Sequence, residues 1–140
     1  MSDFELDSRL AANSVLVDEG PLSQVRLMND ERFPWLVLVP RVTGITEWME
    51  LSGDQQDKLR IELSRASRAL KGTDGVEKIN IATLGNIVPQ LHFHVVGRHN
   101  GDPLWPGPVW GNGQPRKFDD AVLKEHVAMW KERLGYSPQP

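Results

Sequence analysis

The stretch "NIVPQLHFHVVGRHNGDP" holds three of the chain's four histidines. Its centre alternates polar and apolar side chains: the polar positions are Gln90, His92 and His94, and the apolar positions are Leu91, Phe93 and Val95. Because side chains of a strand alternate between its two faces, the pattern predicts a strand with a core face and a polar face. Burying two imidazoles costs free energy unless each is hydrogen-bonded, so we expect solvent or a ligand on the polar face.

Three interpretations fit this polar face. It can be a solvated sheet surface whose polar residues happen to be histidines. It can bind a metal ion through His92, His94 and His99, although Gln90 is a poor transition-metal ligand and no glutamate follows the pair closely. It can also be a site of catalysis, because a neutral imidazole, with an unperturbed pKa of about 6.5, attacks phosphorus well near neutral pH.

The catalytic interpretation sets a requirement on each ring. The attacking nitrogen must be unprotonated while the other ring nitrogen holds its proton against an acceptor, which fixes the tautomer. A second histidine two positions on would reach the same phosphate and donate hydrogen bonds to its oxygens or to the leaving group.

Length and composition describe an ordinary globular chain. With 140 residues we expect a single domain, 1–140, with a core over about 14–112 and a C-terminal helix over about 119–134. The net charge of −3 argues against nucleic acid as a partner, and there is no cysteine. The longest apolar run, from Trp35 to Val39, is too short to cross a membrane, and the acidic N-terminus is unlike a signal peptide. We therefore expect a cytoplasmic protein.

The remaining pattern predicts an α+β fold, with about five mainly antiparallel strands, one long helix and a C-terminal helix. A capping box at Ser52 and Gln55 begins the long helix, and Gly72 ends it. The last helix begins near Asp119 or Asp120, and a weak helix is predicted over Phe4 to Ala12. The predicted strands are Ser14 to Val17, Ser23 to Met28, the run "WLVLVPR", Val76 to Leu84 and Pro89 to Gly97. The "GN" dipeptide predicts a tight turn between the last two strands.

The segment "GNIVPQLHFHVVGRH" resembles the signature of the histidine triad (HIT) superfamily, His-φ-His-φ-His-φ-φ, where φ is apolar. The order of the surrounding elements, from about Leu22 to Trp110, is also similar to that family. The resemblance implies a HIT-like fold and a nucleotidyl hydrolase or transferase that acts on dinucleoside polyphosphates or nucleoside phosphoramidates. It also implies a homodimer, a small nucleotide as the partner, no cofactor and no metal ligand set.

The resemblance assigns roles to the three polar positions. His92 matches the family's nucleophile, which attacks the α-phosphate and forms a nucleotidyl-histidine. His94 matches the last triad histidine and would hydrogen-bond the phosphate. Gln90 stands where the first histidine normally is, and a carboxamide cannot transfer a proton near pH 7. Galactose-1-phosphate uridylyltransferases also have a glutamine in the motif, but in place of the last histidine. A nucleotide-binding protein that has lost catalysis therefore remains an alternative.

Further positions match the family as substrate contacts. Asn29 resembles a residue at the ribose, and Asn80 and Asn86 resemble amide positions that reach ribose or phosphate. For all three, local turn bonding is the simpler alternative. Arg98 and His99 follow the predicted strand, where a polyphosphate tail would lie unless they belong to a solvated loop.

Two positions of this chain differ from the family pattern, and a Trp-rich loop follows the motif. Many relatives have Ser or Thr at the position of Ile87 and His at that of Trp35, so both positions are expected to lose polar contacts. Trp105 and Trp110 are expected to anchor the irregular segment from Gly101 to Pro115 onto the core. In the family this C-terminal stretch approaches the leaving group, so a role in specificity is the alternative.

Overall fold

The computed structural model describes residues 3–136, which form one five-stranded sheet with three α-helices. The strands are β1 (Ser14–Glu19), β2 (Ser23–Met28), β3 (Trp35–Pro40), β4 (Lys78–Ala82) and β5 (Phe93–Arg98). The helices are α1 (Ser8–Asn13), α2 (Gly53–Lys71) and α3 (Asp120–Leu134), with a short 3-10 turn at Trp48–Glu50. The predicted α+β class is confirmed.

The sheet has the order β1-β2-β3-β5-β4, and all four neighbouring pairs are antiparallel. β3 lies at the centre and all six of its residues are buried, as its continuous apolar run predicted. β5 lies between β3 and β4, so His94 pairs with Val37 on one side and with Ala82 on the other. The histidine segment therefore enters the middle of the sheet.

Helices α2 and α3 cover one face of the sheet. The capping box forms as predicted: the Ser52 hydroxyl accepts from the backbone N–H of Gln55, and the Gln55 side chain accepts from the N–H of Ser52. The core on this face contains residues from both helices and from each of the strands β1, β2, β3 and β5. The histidine segment contributes Leu91, Phe93 and Val95 to it. None of the helices within residues 3–136 is long and apolar enough to cross a membrane.

The opposite face is covered by the N-terminal segment and by residues 99–118, which we call the strap. A second apolar cluster forms there from Leu10, Phe33, Trp35, Val37, Val39, Val96 and Val109. The strap is a series of turns without helix or strand, as its Gly and Pro content indicated. Because side chains of β5 alternate, His94 lies on this second face, between the sheet and the strap.

β5 is shorter than the strand predicted over Pro89 to Gly97, and that prediction is wrong for the residues before Phe93. The backbone N–H of Leu91 donates to the Ile45 carbonyl, and the hydroxyl of Thr83 donates to the carbonyl of His92. These bonds replace sheet pairing, so residues 83–92 form an irregular connection instead of a tight turn. Gly85 supports its first bend with a φ of 72°, a conformation that favours glycine.

Helix α1 begins later than the helix predicted over Phe4 to Ala12. Asp7 is its N-cap and accepts a hydrogen bond from the backbone N–H of Arg9. The residues before it are bound to Gln90, whose side chain uses the carbonyl of Glu5 and the N–H of Asp7. The residues before Asp7 are therefore held by a tertiary contact and are not helical, although local periodicity indicated a helix.

Candidate active site

His92 is held by its own neighbour in the chain. Its Nδ1 lies 2.6 Å from the backbone carbonyl oxygen of Gln90, and only 6% of the residue is exposed. A carbonyl can only accept, so Nδ1 carries the proton of this hydrogen bond. In the neutral ring, Nε2 is then the nitrogen with a free lone pair. This is the tautomer that a nucleophilic imidazole requires.

His94 lies next to His92, with ring centroids 5.0 Å apart at an angle of 75°. Its Nδ1 lies 3.0 Å from Nε1 of Trp35, and the residue is 6% exposed. Burial, followed by the nearby His92 ring, lowers the pKa of His94 to about 3. His94 is therefore a neutral imidazole at physiological pH.

Both histidines line a cavity of about 830 Å³ on the face covered by the strap. Its walls come from the β2–β3 turn, from the connection over residues 84–88 and from the strap. This volume lies within the range of small-molecule sites. A smaller cavity of about 440 Å³ lies between α2 and the β1–β2 turn, and its lining includes Glu62 and Tyr136 but no histidine. The larger cavity is the candidate active site because it holds the two imidazoles.

Gln90 does not point toward the histidines as the alternation predicted. Its Oε1 accepts from the N–H of Asp7 at 2.8 Å, and its Nε2 donates to the carbonyl of Glu5 at 2.8 Å. Arg9 adds a third link by donating to the carbonyl of Ile87. The side chain of Gln90 therefore ties the N-terminal segment to the active-site connection, while its main chain orients His92.

The three asparagines occupy different places. Asn29 and Asn86 line the cavity. The Oδ1 of Asn29 accepts from the backbone N–H of Phe118 at 2.9 Å, so one end of this side chain holds the strap. Asn80 does not line the cavity, and its Oδ1 accepts from Arg98 at 3.0 Å.

Arg98 and His99 do not reach the cavity either. Arg98 is the last residue of β5 and is 1% exposed, where the sequence placed it beyond the strand end. It donates two hydrogen bonds to the Asp102 carboxylate, at 2.7 and 2.9 Å. Burial would raise the pKa of Asp102, but hydrogen bonds from Arg98, His99 and Leu104 outweigh it and hold this pKa at about 2. His99 is exposed. The buried ion pair of Arg98 and Asp102 therefore stabilises the start of the strap, and Arg98 is not a free cation beside a substrate.

Sequence reasoning missed several cavity residues. Trp35 keeps a polar contact where a lost one was expected, because its indole N–H bonds to His94. Trp110 packs against the rings of both His94 and Trp35, with centroids 5.6 and 6.4 Å away. Asp30, Arg32 and Lys117 also line the cavity. The density of tryptophans was the available signal, but it does not reveal which ring meets a histidine.

Charge around the cavity is largely paired. Arg32 donates to both carboxylate oxygens of Asp30, and this pair is shielded on the β2–β3 turn. Lys117 is exposed at the strap side. Within residues 3–136, no three His, Asp or Glu side chains are grouped so that they could hold a metal ion. His92 and His94 are the imidazoles that line the cavity.

A family profile described as the HIT domain matches residues 9–101, which is more than half of the chain. The chain belongs to the HIT domain family. HIT domain proteins are nucleotide-binding hydrolases and transferases, so the family defines a broad functional class for this one. The matched range includes the cavity histidines but not most of the strap.

Solved structures of bacterial HIT proteins are similar over nearly the whole chain. A histidine triad protein from Sinorhizobium meliloti 1021 is 44% identical with a TM-score of 0.91, covering 95% of this chain and 98% of that one. One from Marinobacter aquaeolei VT8 is 44% identical with a TM-score of 0.90, covering 94% and 96%. One from Bradyrhizobium japonicum is 41% identical with a TM-score of 0.89, covering 94% and 98%. No curated protein matched the sequence.

Proposed function

We propose that this HIT protein is a nucleotidyl hydrolase or transferase that uses Nε2 of His92 as its nucleophile. The observation that carries the proposal is the hydrogen bond from Nδ1 of His92, a residue that lines the cavity, to the Gln90 carbonyl, because this bond leaves the lone pair on Nε2. The proposed substrates are dinucleoside polyphosphates or nucleoside phosphoramidates, the classes implied by the family resemblance.

The reaction has two displacements at one phosphorus. In the first, the Nε2 lone pair forms a bond to the α-phosphorus, and the bond to the leaving group breaks with its electron pair. In the second, water or another acceptor attacks the same phosphorus, and the electron pair of the P–N bond returns to His92. The acceptor loses one proton to solvent, and the leaving group gains one. The product of hydrolysis is a nucleoside monophosphate.

His94 supports both displacements from beside the nucleophile. With Nδ1 occupied by Trp35, its N–H is at Nε2, where it would donate to a phosphate oxygen. Asn29 and Asn86 line the same cavity and are the proposed polar contacts for ribose and phosphate. Asn80, Arg98 and His99 are left out of the proposed substrate contacts because their places in the fold lie away from this cavity.

Intact-protein mass after incubation with diadenosine tetraphosphate or adenosine phosphoramidate tests the proposal. We expect an acid-labile adenylyl adduct, or release of AMP, in the wild type, and neither in His92→Ala. His126→Gln is the matched control, because His126 packs against Phe118 outside the cavity. Tight AMP binding without adduct or turnover would favour the second candidate, a HIT protein that binds nucleotides without catalysis.

The family also supports a homodimer as the assembly. Light scattering coupled to size exclusion measures the mass directly. A monomer at micromolar concentration would contradict this part of the proposal.

A further inference from the structure

The hydrogen bond between Trp35 and His94 has a fixed direction. Nε1 of Trp35 lies 3.0 Å from Nδ1 of His94, and an indole N–H can donate but never accept. Nδ1 of His94 must therefore present its lone pair. A neutral imidazole has one proton, so that proton is on Nε2. Trp35 and His94 are only 7% and 6% exposed, so water cannot easily substitute for either partner.

We propose that Trp35 is a positioning residue that keeps His94 as a neutral Nε2–H donor across the working pH range of the enzyme. The proposal rests on the proposed function, because it assigns this N–H to the phosphate of the substrate. His94 then donates a hydrogen bond to the negatively charged phosphate but neither gains nor loses a proton during the reaction. In this proposal Trp35, which also lines the cavity, acts on the reaction through its hydrogen bond to His94.

The surroundings of His94 favour this neutral form. Its strand neighbours, Val37 and Ala82, are uncharged, and Trp110 covers it from the strap. His92 is the titratable group beside it, at 5.0 Å between ring centroids. Protonating Nδ1 would break the bond to Trp35 and place a charge in a buried site next to a second imidazole.

The charged groups of the same cavity are engaged or lie at its edge. On the β2–β3 turn, the Asp30 carboxylate is bound by Arg32, which removes it as a partner for a protonated His94. From the strap, Lys117 lines the cavity and is itself a cation, so it offers no counter-charge to a protonated His94. The low pKa of His94, about 3, agrees with this arrangement.

An imidazole at position 35 would behave differently. Its ring nitrogens can donate or accept, and it titrates near neutral pH, so it would leave the tautomer of its partner open. The indole of Trp35 can only donate and does not titrate near neutral pH. We therefore expect the reaction of this chain to lack the acid limb that a titrating His94 would add.

Nitrogen-15 NMR of the two histidine rings tests the proposal on the free protein, without substrate. We expect His94 Nδ1 at the shift of an unprotonated nitrogen and Nε2 at that of a protonated one, unchanged between about pH 5 and about pH 8. In Trp35→Phe, which keeps an aromatic ring, we expect mixed tautomers or a new titration of His94. A His94 protonated on Nδ1 in the wild type, or one that titrates in this range, overturns the proposal.

Steady-state kinetics provide a second test, because the pH profile would not change if Trp35 served only to pack the fold. We expect kcat to fall about tenfold in Trp35→Phe with a smaller change in KM, because one fixed donor is no longer oriented. In Trp35→His we expect partial recovery at high pH and an additional ionisation in the pH profile. An unchanged tautomer together with an unchanged pH profile in both variants would overturn the proposal.

Trp110→Phe is the matched control for ring packing. Trp110 contacts His94 with the same centroid distance as Trp35, 5.6 Å, but donates no hydrogen bond to it. We therefore expect the tautomer of His94 to be unchanged in Trp110→Phe, and a tautomer change there equal to that in Trp35→Phe contradicts the proposal. If no adduct forms with any nucleotide, the proposed function fails, while the NMR result still decides the role of Trp35.

Discussion

The side-chain Oε1 of Gln90 accepts a hydrogen bond from the backbone N–H of Asp7, across 83 positions of sequence. Its Nε2 donates to the carbonyl of Glu5. One carboxamide thus satisfies a donor and an acceptor of the N-terminal segment at once. Gln90 thus serves as a clip between the N-terminal segment and the connection that precedes β5.

We expect Gln90→Ala to lower the free energy of unfolding by about 1–2 kcal/mol, because two hydrogen bonds are lost at a partly exposed site. Urea unfolding measures this change. Gln114→Ala, at an exposed strap residue, is the control and should change stability little.

The variant Gln90→His distinguishes two interpretations of Gln90: a structural link to the N-terminal segment, or a replacement that removed a catalytic histidine. An imidazole has one donor and one acceptor, but its ring places them differently, so we expect lower stability and no gain in turnover. A clear rise in kcat for Gln90→His would show that glutamine is a catalytic lesion here.

The proposed role of His94 as a neutral donor predicts the order of activity among its variants. We expect His94→Ala to lower kcat about 100-fold, a typical cost of losing a donor that stabilises developing charge. His94→Asn keeps an uncharged N–H donor and should recover about tenfold of that loss. Steady-state kinetics at one pH suffice. Equal rates for the two variants would contradict a hydrogen-bonding role.

The buried pair of Arg98 and Asp102 predicts a large effect on stability. Their side chains are 2% and 0% exposed, so Asp102→Asn leaves a buried guanidinium without its counter-charge. We expect a loss of about 3–5 kcal/mol in the free energy of unfolding. Glu19→Gln is the matched control, since Glu19 pairs with Arg41 on the surface and should cost no more than about 1 kcal/mol.

The Asp102 carboxylate also predicts how the free energy of unfolding changes at acidic pH. The pKa of Asp102 is lowered from 3.8 to about 2 in the fold, so its stabilising effect is complete above pH 3.8 and is lost as the pH falls toward 2. Urea unfolding at several pH values should therefore show a steeper loss of stability below pH 3.8 in the wild type than in Asp102→Asn. Parallel curves for the two proteins would contradict this assignment.

Local patterns predicted much of the fold. The capping box at Ser52, the buried run of β3 and the alternation of Phe93 with His94 depend on near neighbours in sequence, and each is present. The closeness of His92 and His94 followed from the same short-range geometry.

The errors arise where distant segments meet. The start of β5 is set by bonds from Leu91 to Ile45 and from Thr83 to His92, which no periodicity reveals. Arg98 looked like a free cation because Asp102 reaches back to it only after the chain turns. The sequence shows that Trp35 can donate a hydrogen bond through its indole N–H. It does not show that His94 accepts this bond, because that depends on the register between β3 and β5.

The two indoles beside His94 also make the cavity optically visible. Trp35 and Trp110 flank this ring, whereas Trp48 is about half exposed and Trp130 is buried in the core on the other face. A nucleotide bound in the cavity would change the surroundings of Trp35 and Trp110, while Trp48, Trp105 and Trp130, which do not line the cavity, would give a steady background. Binding can therefore be followed by intrinsic emission, without a label, in the wild type and in the His92 and Gln90 variants alike.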